Sequence, residues 1–120
     1  MWIMLNDCFF SIVKKDCAED ELLVYARRPN DIQHVFGEVP VNEHPDNDYR
    51  YSAIVKKTVI NNAIAERINA IDYSEFEETI QGTDLQKAYA GVWGNMEGIQ
   101  IGGAFARHQK RNKLLGGGGY

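Results

Sequence analysis

The chain has 120 residues, of which 44% are hydrophobic, and its formal net charge at pH 7 is −4. That length and apolar content suit a single domain that buries its own core, and two cysteines are too few for a disulfide scaffold. No apolar run approaches the roughly 20 residues that span a bilayer, and the N-terminus does not resemble a secretory signal. We therefore expect a cytoplasmic protein that does not enter a membrane.

The charges are distributed unevenly along the chain. Residues 1–97 hold all 17 acids but only nine of the 13 bases, a net charge of −8, whereas residues 98–120 hold four bases and no acid. An acidic body with a basic tail is a pattern found in proteins that bind charged partners. A solvated surface with a solubilising tail is the simpler explanation of the same pattern.

Four runs with the composition of β-strands lie in the first half of the chain. Residues 2–5 and 8–15 are joined by Asn-Asp, which favours a hairpin turn. The second run has apolar residues on both alternating faces, which predicts a central strand. One of its faces would carry Cys8, Phe10 and Ile12. Residues 22–27 and 49–56 alternate in a similar way and complete the set.

Helices are predicted mainly in the second half. Residues 58–73 carry isoleucines at steps of four, four and three, and we expect this stripe to bury against the sheet. The stripe consists of Ile60, Ile64, Ile68 and Ile71. Capping boxes predict helices over residues 74–81 and 83–96, and a shorter helix is predicted over residues 30–37. Residues 40–48 contain two prolines and several acids, and they are predicted to form an exposed loop.

This order of elements predicts an α+β fold, with a mostly antiparallel four-stranded sheet and helices packed on one of its faces. We place a single α+β domain at residues 1–97. Residues 98–120 form a Gly-rich basic C-terminal tail, a composition that is typical of segments ordered only by a partner.

The N-terminal part also resembles a group of known sequences. After Met1-Trp2, the run Cys-Phe-Phe-Ser-Ile-Val-Lys at residues 8–14 resembles the Gly-Phe-Phe-Ser-Ile/Val-Val opening of a family of small uncharacterised bacterial and phage proteins. The resemblance extends over about residues 1–94, and Cys8 stands where that family usually has Gly. Because no activity is established for the family, the resemblance implies a shared fold unit and no catalytic residues.

The sequence contains few patterns associated with catalysis or metal binding. It has no phosphate-binding loop of the Gly-x-x-x-x-Gly-Lys type. The histidines His34, His44 and His108 lie in three separate segments. A thiolate is disfavoured at Cys8, in a predicted strand, and at Cys17, in an acidic turn. We therefore predict no catalytic residue, no metal site and no cofactor.

Two groups of residues could bind a macromolecule. The first lies at strand ends, where arginines beside aromatic rings can hold phosphates or stacked bases. It consists of Arg27, Arg28, Tyr49, Arg50 and Tyr51. Alternatively, the tyrosines pack and the arginines pair with surface acids. In the tail, apolar residues flank a basic run and could dock to a partner or to a sister subunit, unless the tail is a disordered appendage. The candidates there are Phe105, Arg107, Lys110 and Arg111.

The leading functional hypothesis rests on acidic clusters such as Glu75, Glu77 and Glu78, because like charges gathered on one surface steer a basic partner toward it. We expect a non-enzymatic protein-binding module, for example a phage accessory or anti-defence factor that inhibits a host complex through its acidic surface. The protein could also form a homo-oligomer. Two alternatives remain: a nucleic-acid or nucleotide-binding protein that uses the strand-end arginines and the basic tail, and a small enzyme with an unrecognised site.

Overall fold

The computed structural model describes residues 1–100, which belong to two compact units, Met1–Thr79 and Ile80–Tyr120. The described residues confirm the α+β class, with a five-stranded antiparallel sheet and three α-helices. The strands are β1 (Trp2–Met4), β2 (Phe9–Val13), β3 (Glu21–Ala26), β4 (Asn42–Glu43) and β5 (Tyr51–Lys56). The helices are α1 (Asp31–Phe36), α2 (Lys57–Asn69) and α3 (Thr83–Glu97).

The sheet has the strand order β1-β2-β3-β5-β4, and all of its neighbouring strands are antiparallel. β2 is an internal strand, as its two apolar faces predict. The prediction of four strands misses β4, in which Asn42 pairs with Ser52 and Glu43 pairs with Tyr51. Both β4 residues are exposed and polar, so nothing in their sequence distinguishes them from a loop. Pairing with β5 alone makes them a strand.

The core of the first unit lies on one face of the sheet. Phe10 and Ile12 of β2 share that face with Cys8, which precedes the strand, as their alternation predicts, and all three are buried there. α1 and α2 cover it, because both helices contribute buried side chains to the same cluster as the strands. These helix residues are Ile32, Phe36 and Ile60. The rings of Phe10 and Phe36 meet with centroids 5.1 Å apart, a direct contact between β2 and α1.

The isoleucine stripe of α2 is only half buried, so the prediction for its second half is wrong. Ile60 is 6% exposed and Ile64 packs partly against the core, but Ile68 is 61% exposed and Ile71 is 51% exposed. α2 ends at Asn69, so Ile71 follows the helix rather than continuing its stripe. The spacing of the isoleucines identifies the apolar side of α2, but spacing alone does not say how far along a helix its covering partner extends.

The prediction of a helix over residues 74–81 is also wrong, because this segment contains only a single 3-10 turn, Glu77–Thr79. In that turn both the backbone N–H and the hydroxyl of Thr79 donate to the carbonyl of Phe76. Four acids fall within residues 72–78. A short helix has a costly nucleus, and packing rather than a capping pattern usually stabilises it.

The helix predicted over residues 83–96 is confirmed as α3, in the second unit. It follows Gly82, whose φ of 89° is readily adopted only by glycine. Leu85 and Tyr89 are buried, and Trp93 is 58% exposed. Within residues 1–100, no helix is both long enough and apolar enough to cross a bilayer.

Substitutions along α2 test whether its isoleucine stripe is buried in the first half of the helix and exposed at Ile68. We expect Ile60→Ala to lower the free energy of unfolding by about 2–5 kcal/mol, because it opens a cavity in the core. Ile68→Ala, on the same helix, should change it by less than about 0.5 kcal/mol, because the side chain is largely in water. Urea unfolding followed by circular dichroism measures both values. Equal losses from the two variants would contradict the assignment of Ile68 to the surface.

Candidate functional site

The strand-end arginines predicted to bind phosphates or bases are already engaged with neighbouring side chains. Tyr25 and Tyr49 stack with ring centroids 5.1 Å apart, and the guanidinium carbon of Arg27 lies 4.2 Å from the centroid of Tyr49. Arg27 pairs with Asp48 at 3.0 Å. A phosphate at Arg27 would therefore have to compete with this carboxylate.

Arg50 is paired in the same way. Its Nε and Nη2 atoms both donate to Glu43 Oε2, at 3.1 and 2.9 Å. Its guanidinium lies 6.0 Å from the ring of Tyr51, at the limit of a cation–π contact. These contacts support the interpretation that the tyrosines pack and the arginines pair with surface acids.

Asp7, in the turn between β1 and β2, connects that turn to both helices of the first unit. Its two carboxylate oxygens accept hydrogen bonds from Nη1 and Nη2 of Arg67 on α2, at 2.8 and 3.2 Å. Its Oδ2 atom also lies 2.9 Å from Nε2 of His34 on α1. Nη2 of Arg28 donates to the Asp7 carbonyl at 2.6 Å, while Nε of Arg28 donates to Asp31. One turn is thus fastened to α1 and α2 by charged hydrogen bonds.

The surroundings of Asp7 change the pKa of its carboxyl group. Burial, the largest influence, would raise the pKa of its carboxyl, but the hydrogen bonds from Arg67 and His34 and the attraction of their charges together outweigh burial and lower the pKa below its ordinary value. The same ion pair raises the pKa of Arg67. Asp7 therefore stays ionised at neutral pH, and its carboxylate contacts side chains of both α1 and α2.

Asp7, Cys8 and His34 bring potential metal-ligating atoms within 4.8 Å of one another, which the separation of the histidines in the sequence did not predict. The donor set fits a cation poorly. Both oxygens of Asp7 accept from Arg67, whose positive charge would repel a metal ion. Burial, with the charges of Asp31 and Asp7, raises the pKa of the Cys8 thiol to about 12, so it is not a ready thiolate ligand. The arrangement acts as a structural link between elements.

An apolar groove of about 420 Å³ opens on the first unit where α2 ends. α2 contributes Ile64 and Ile68 to its wall, and the β1–β2 turn region contributes Leu5. The chain then leaves α2 and runs irregularly past the groove, where Tyr73 and Phe76 approach with ring centroids 6.3 Å apart. The apolar groove is lined chiefly by Leu5, Ile64, Ile68, Ile71, Tyr73 and Phe76.

Residues 72–78, here called the acidic segment, border this groove. Asp72 itself lines it, and Glu75, Glu77 and Glu78 follow within six residues. All four carboxylate side chains belong to exposed residues, and none forms an ion pair with another residue in the range 1–100. No Lys or Arg occurs between Arg67 and Lys87 to neutralise them. An apolar depression with an uncompensated acidic edge is the result.

The predicted binding residues therefore differ in exposure and in pairing. Glu75, Glu77 and Glu78 lie together at the surface, while Arg27 and Arg50 form separate pairs with separate acids. The tail candidates, Phe105, Arg107, Lys110 and Arg111, lie outside the described residues and stay predictions. Sequence reasoning missed the apolar groove, because it assigned Ile68 and Ile71 to the core. The exposed acids that follow them directly in the chain were the available signal.

Removing the charge of Asp7 tests its linking role. We expect Asp7→Asn to lower the free energy of unfolding at pH 7 by about 1–3 kcal/mol, because Arg67 loses its charged partner. The folded-state pKa of Asp7 is lowered, so its contribution is complete above the unfolded value of about 3.9 and is lost as pH falls through the lower folded value. The difference between variant and parent should therefore shrink below about pH 4.

Urea unfolding of both proteins between pH 2 and pH 7 would measure this difference. Asp46→Asn is the matched control, because Asp46 is exposed and forms no ion pair with another residue of the described range. A pH-independent difference for Asp7→Asn would show that the ion pair does not stabilise the fold.

The two cysteines provide a second test within one chain. At pH 8, a pKa of about 12 gives Cys8 a thiolate fraction about three orders of magnitude below that of an ordinary cysteine. We expect iodoacetamide to alkylate the partly exposed Cys17 in the native protein and to leave Cys8 unmodified until urea unfolds the chain. Mass spectrometry of proteolytic peptides measures the extent of alkylation at both cysteines. Rapid native alkylation of Cys8 would contradict its burial at 1% exposure.

The resemblance of residues 1–94 to small bacterial and phage proteins stays an expectation. At the position where that family usually has Gly, this chain buries the Cys8 side chain completely beside Asp7. No protein-family model, no curated protein and no solved structure matches the chain.

Proposed function

We propose that the protein is a non-enzymatic protein-binding module that presents its acidic segment, residues 72–78, to a positively charged partner. The observation that carries this proposal is the contrast between paired and unpaired acids. Asp20, Glu43 and Asp48 each neutralise a nearby base at 3.0 Å or less, whereas the acids of the acidic segment have no such base. Their field therefore extends into solvent, where it can act on a partner.

Steering is the physical role that this charge would play. Exposed charges contribute little to folding stability, because water screens them and their side chains are mobile. Four like charges within seven residues nevertheless raise the local potential and accelerate the encounter with an oppositely charged surface. The effect weakens as salt is added, because the Debye length shortens. The acidic segment is thus better suited to capturing a partner than to holding the fold together.

The partner class follows from the same charge. A surface of net −8 over residues 1–97 could occupy a basic site that a host complex uses for nucleic acid. The resemblance to phage proteins is the reason to include accessory and anti-defence factors in this proposal. Self-association into a homo-oligomer is a related proposal, for which the basic tail is the candidate contact.

Nucleic-acid or nucleotide binding is the second candidate. The stack of Arg27 on Tyr49 and of Tyr49 on Tyr25 is the observation that favours it, because such surfaces can receive a base. Asp48 and Glu43 count against it, since they already satisfy the arginines. Binding to RNA or DNA with a steep salt dependence would favour this candidate over the first.

Charge reversal tests the proposed function once affinity purification from a host lysate has supplied a partner. We expect Glu75→Lys, Glu77→Lys and Glu78→Lys together to slow association by about tenfold or more at low salt, because the steering field is inverted. The remaining association rate should depend less on salt than that of the parent. Surface plasmon resonance or stopped-flow fluorescence gives both rates.

The matched control reverses Glu19, Glu38 and Asp46, which are exposed acids outside the acidic segment and without ion pairs to other described residues. This control changes the net charge by the same amount, so it separates a local field from overall charge. Equal association rates for the parent and the variant of the acidic segment would refute the proposal. Equal slowing by both triple variants would refute the role of the acidic segment in particular.

A further inference from the structure

The end of α2 exposes more apolar surface than its sequence requires. Ile68 is 61% exposed and Ile71 is 51% exposed, and both line the apolar groove rather than standing alone on the surface. Leu5, Tyr73 and Phe76 line the same groove. Single exposed apolar side chains are common, but several that converge on one depression indicate a contact surface. The exposed apolar area at the end of α2 is therefore gathered in one depression.

Among the described residues at the edge of the apolar groove, the charge that remains available to a ligand is negative. Arg67 lines the groove, but both of its terminal nitrogens donate to Asp7 and its charge is therefore neutralised locally. Asp72 lines the groove as well, and the other acids of the acidic segment continue from it without ion pairs to described residues. The available charge beside the apolar wall is negative. A complementary ligand carries apolar groups next to positive ones.

We infer that the apolar groove binds a short amphipathic segment of another protein, whose large apolar side chains enter the groove while adjacent Lys or Arg side chains contact the acidic segment. The inference rests on the proposed function and deepens it by naming the partner's chemistry. It also assigns two roles to two surfaces. The acidic segment governs the rate of encounter, and the groove governs how long the complex lasts.

The size and shape of the groove favour a peptide segment over a small molecule. Its volume of about 420 Å³ is in the range of ligand pockets and leaves room for a few large side chains. It is shallow, because Ile68 and Ile71 keep more than half of their surface in water. Small ligands are usually bound in clefts that enclose most of their surface, whereas protein partners cover shallow apolar patches with a few anchoring side chains.

A synthetic peptide of about 18 residues provides the probe, since this length allows five helical turns. It carries Leu at helical spacing on one face and Lys on the other, with a fluorescent label at one end. A second peptide replaces each Leu by Ser and keeps every Lys, so that it has the same charge without the apolar face. Fluorescence anisotropy gives the affinity, and stopped-flow mixing gives the two rates.

The decisive variant is Ile68→Ser with Ile71→Ser. Because both side chains are largely exposed, the variant should unfold at nearly the parent temperature, which circular dichroism checks. We expect the Leu/Lys peptide to dissociate from it at least about tenfold faster, with an association rate within about twofold of the parent. The Ser/Lys peptide should bind the parent at least about tenfold more weakly than the Leu/Lys peptide does.

The matched control is Val59→Ser with Ile54→Ser, because these apolar residues are also exposed, at 37% and 42%, and do not line the groove. It should bind the Leu/Lys peptide like the parent. The inference is overturned if the groove variant retains parental dissociation, if the control loses as much binding, or if the peptide does not bind the parent. Loss of a parental dimer in the groove variant, seen by sedimentation velocity, would also overturn it, since a second copy would then be the occupant.

The triple charge reversal of the acidic segment separates this inference from the proposed function. If the reversal slows association while the groove variant changes nothing, the proposed function stands and the groove inference falls. If the groove variant accelerates dissociation while the reversal leaves association unchanged, the groove binds apolar segments but the acidic segment does not steer them. In that case the proposed function falls.

Discussion

The ion pair between Asp7 and Arg67 is the contact on which the arrangement of the first unit depends. Ile60 packs α2 onto the core near its start, but hydrophobic contact diminishes along the helix and is small at Ile68. Arg67 lies in this second half, and its two hydrogen bonds to Asp7 attach it to the β1–β2 turn. A partly buried, bidentate pair of this kind is stronger and more directional than an exposed one. It adds a polar attachment in the part of α2 where apolar burial is slight.

This attachment also explains why the apolar groove lies at the end of α2. Arg67 reaches the β1–β2 turn, which brings Leu5 of that turn region and Ile68 of the helix to the same depression. The helix then ends at Asn69, and the following residues line the groove instead of covering it. The groove is therefore a consequence of holding a helix by a polar contact at a point where its apolar stripe lacks a covering layer. The same contact neutralises Arg67, so the charge left at the groove is acidic.

Charged residues of the described range differ in whether they are paired. Three bases in or beside the sheet, Arg27, Arg50 and Lys56, each form an ion pair with an acid. The acidic segment has no base within reach in its own part of the sequence and keeps its charge. The acidic segment therefore places unpaired negative charge beside exposed apolar surface. Unpaired charge and exposed apolar area coincide in the region that we propose as the contact surface.

Local pattern determined much of the fold. Apolar residues on both faces of β2 predicted an internal strand, and alternation grouped Phe10 with Cys8 and Ile12 on one face, because side chains on a strand point alternately to its two sides. Helical spacing likewise located α3, and composition located the acidic segment. These features depend on residues close together in the chain. They could be predicted because the geometry of a strand or helix is the same wherever it lies.

Tertiary structure decided the features that join distant residues. Asp7 meets His34 across 27 positions and Arg67 across 60, and no local pattern predicts such encounters. β4 exists only because β5 pairs with it. The outcome for Ile68 depended on whether another element covered it, since hydrophobic spacing shows which side of a helix is apolar but not how much of that side is buried. The sequence by itself thus determined the elements and the charge of the surface, and the packing of those elements decided where apolar surface and uncompensated charge meet.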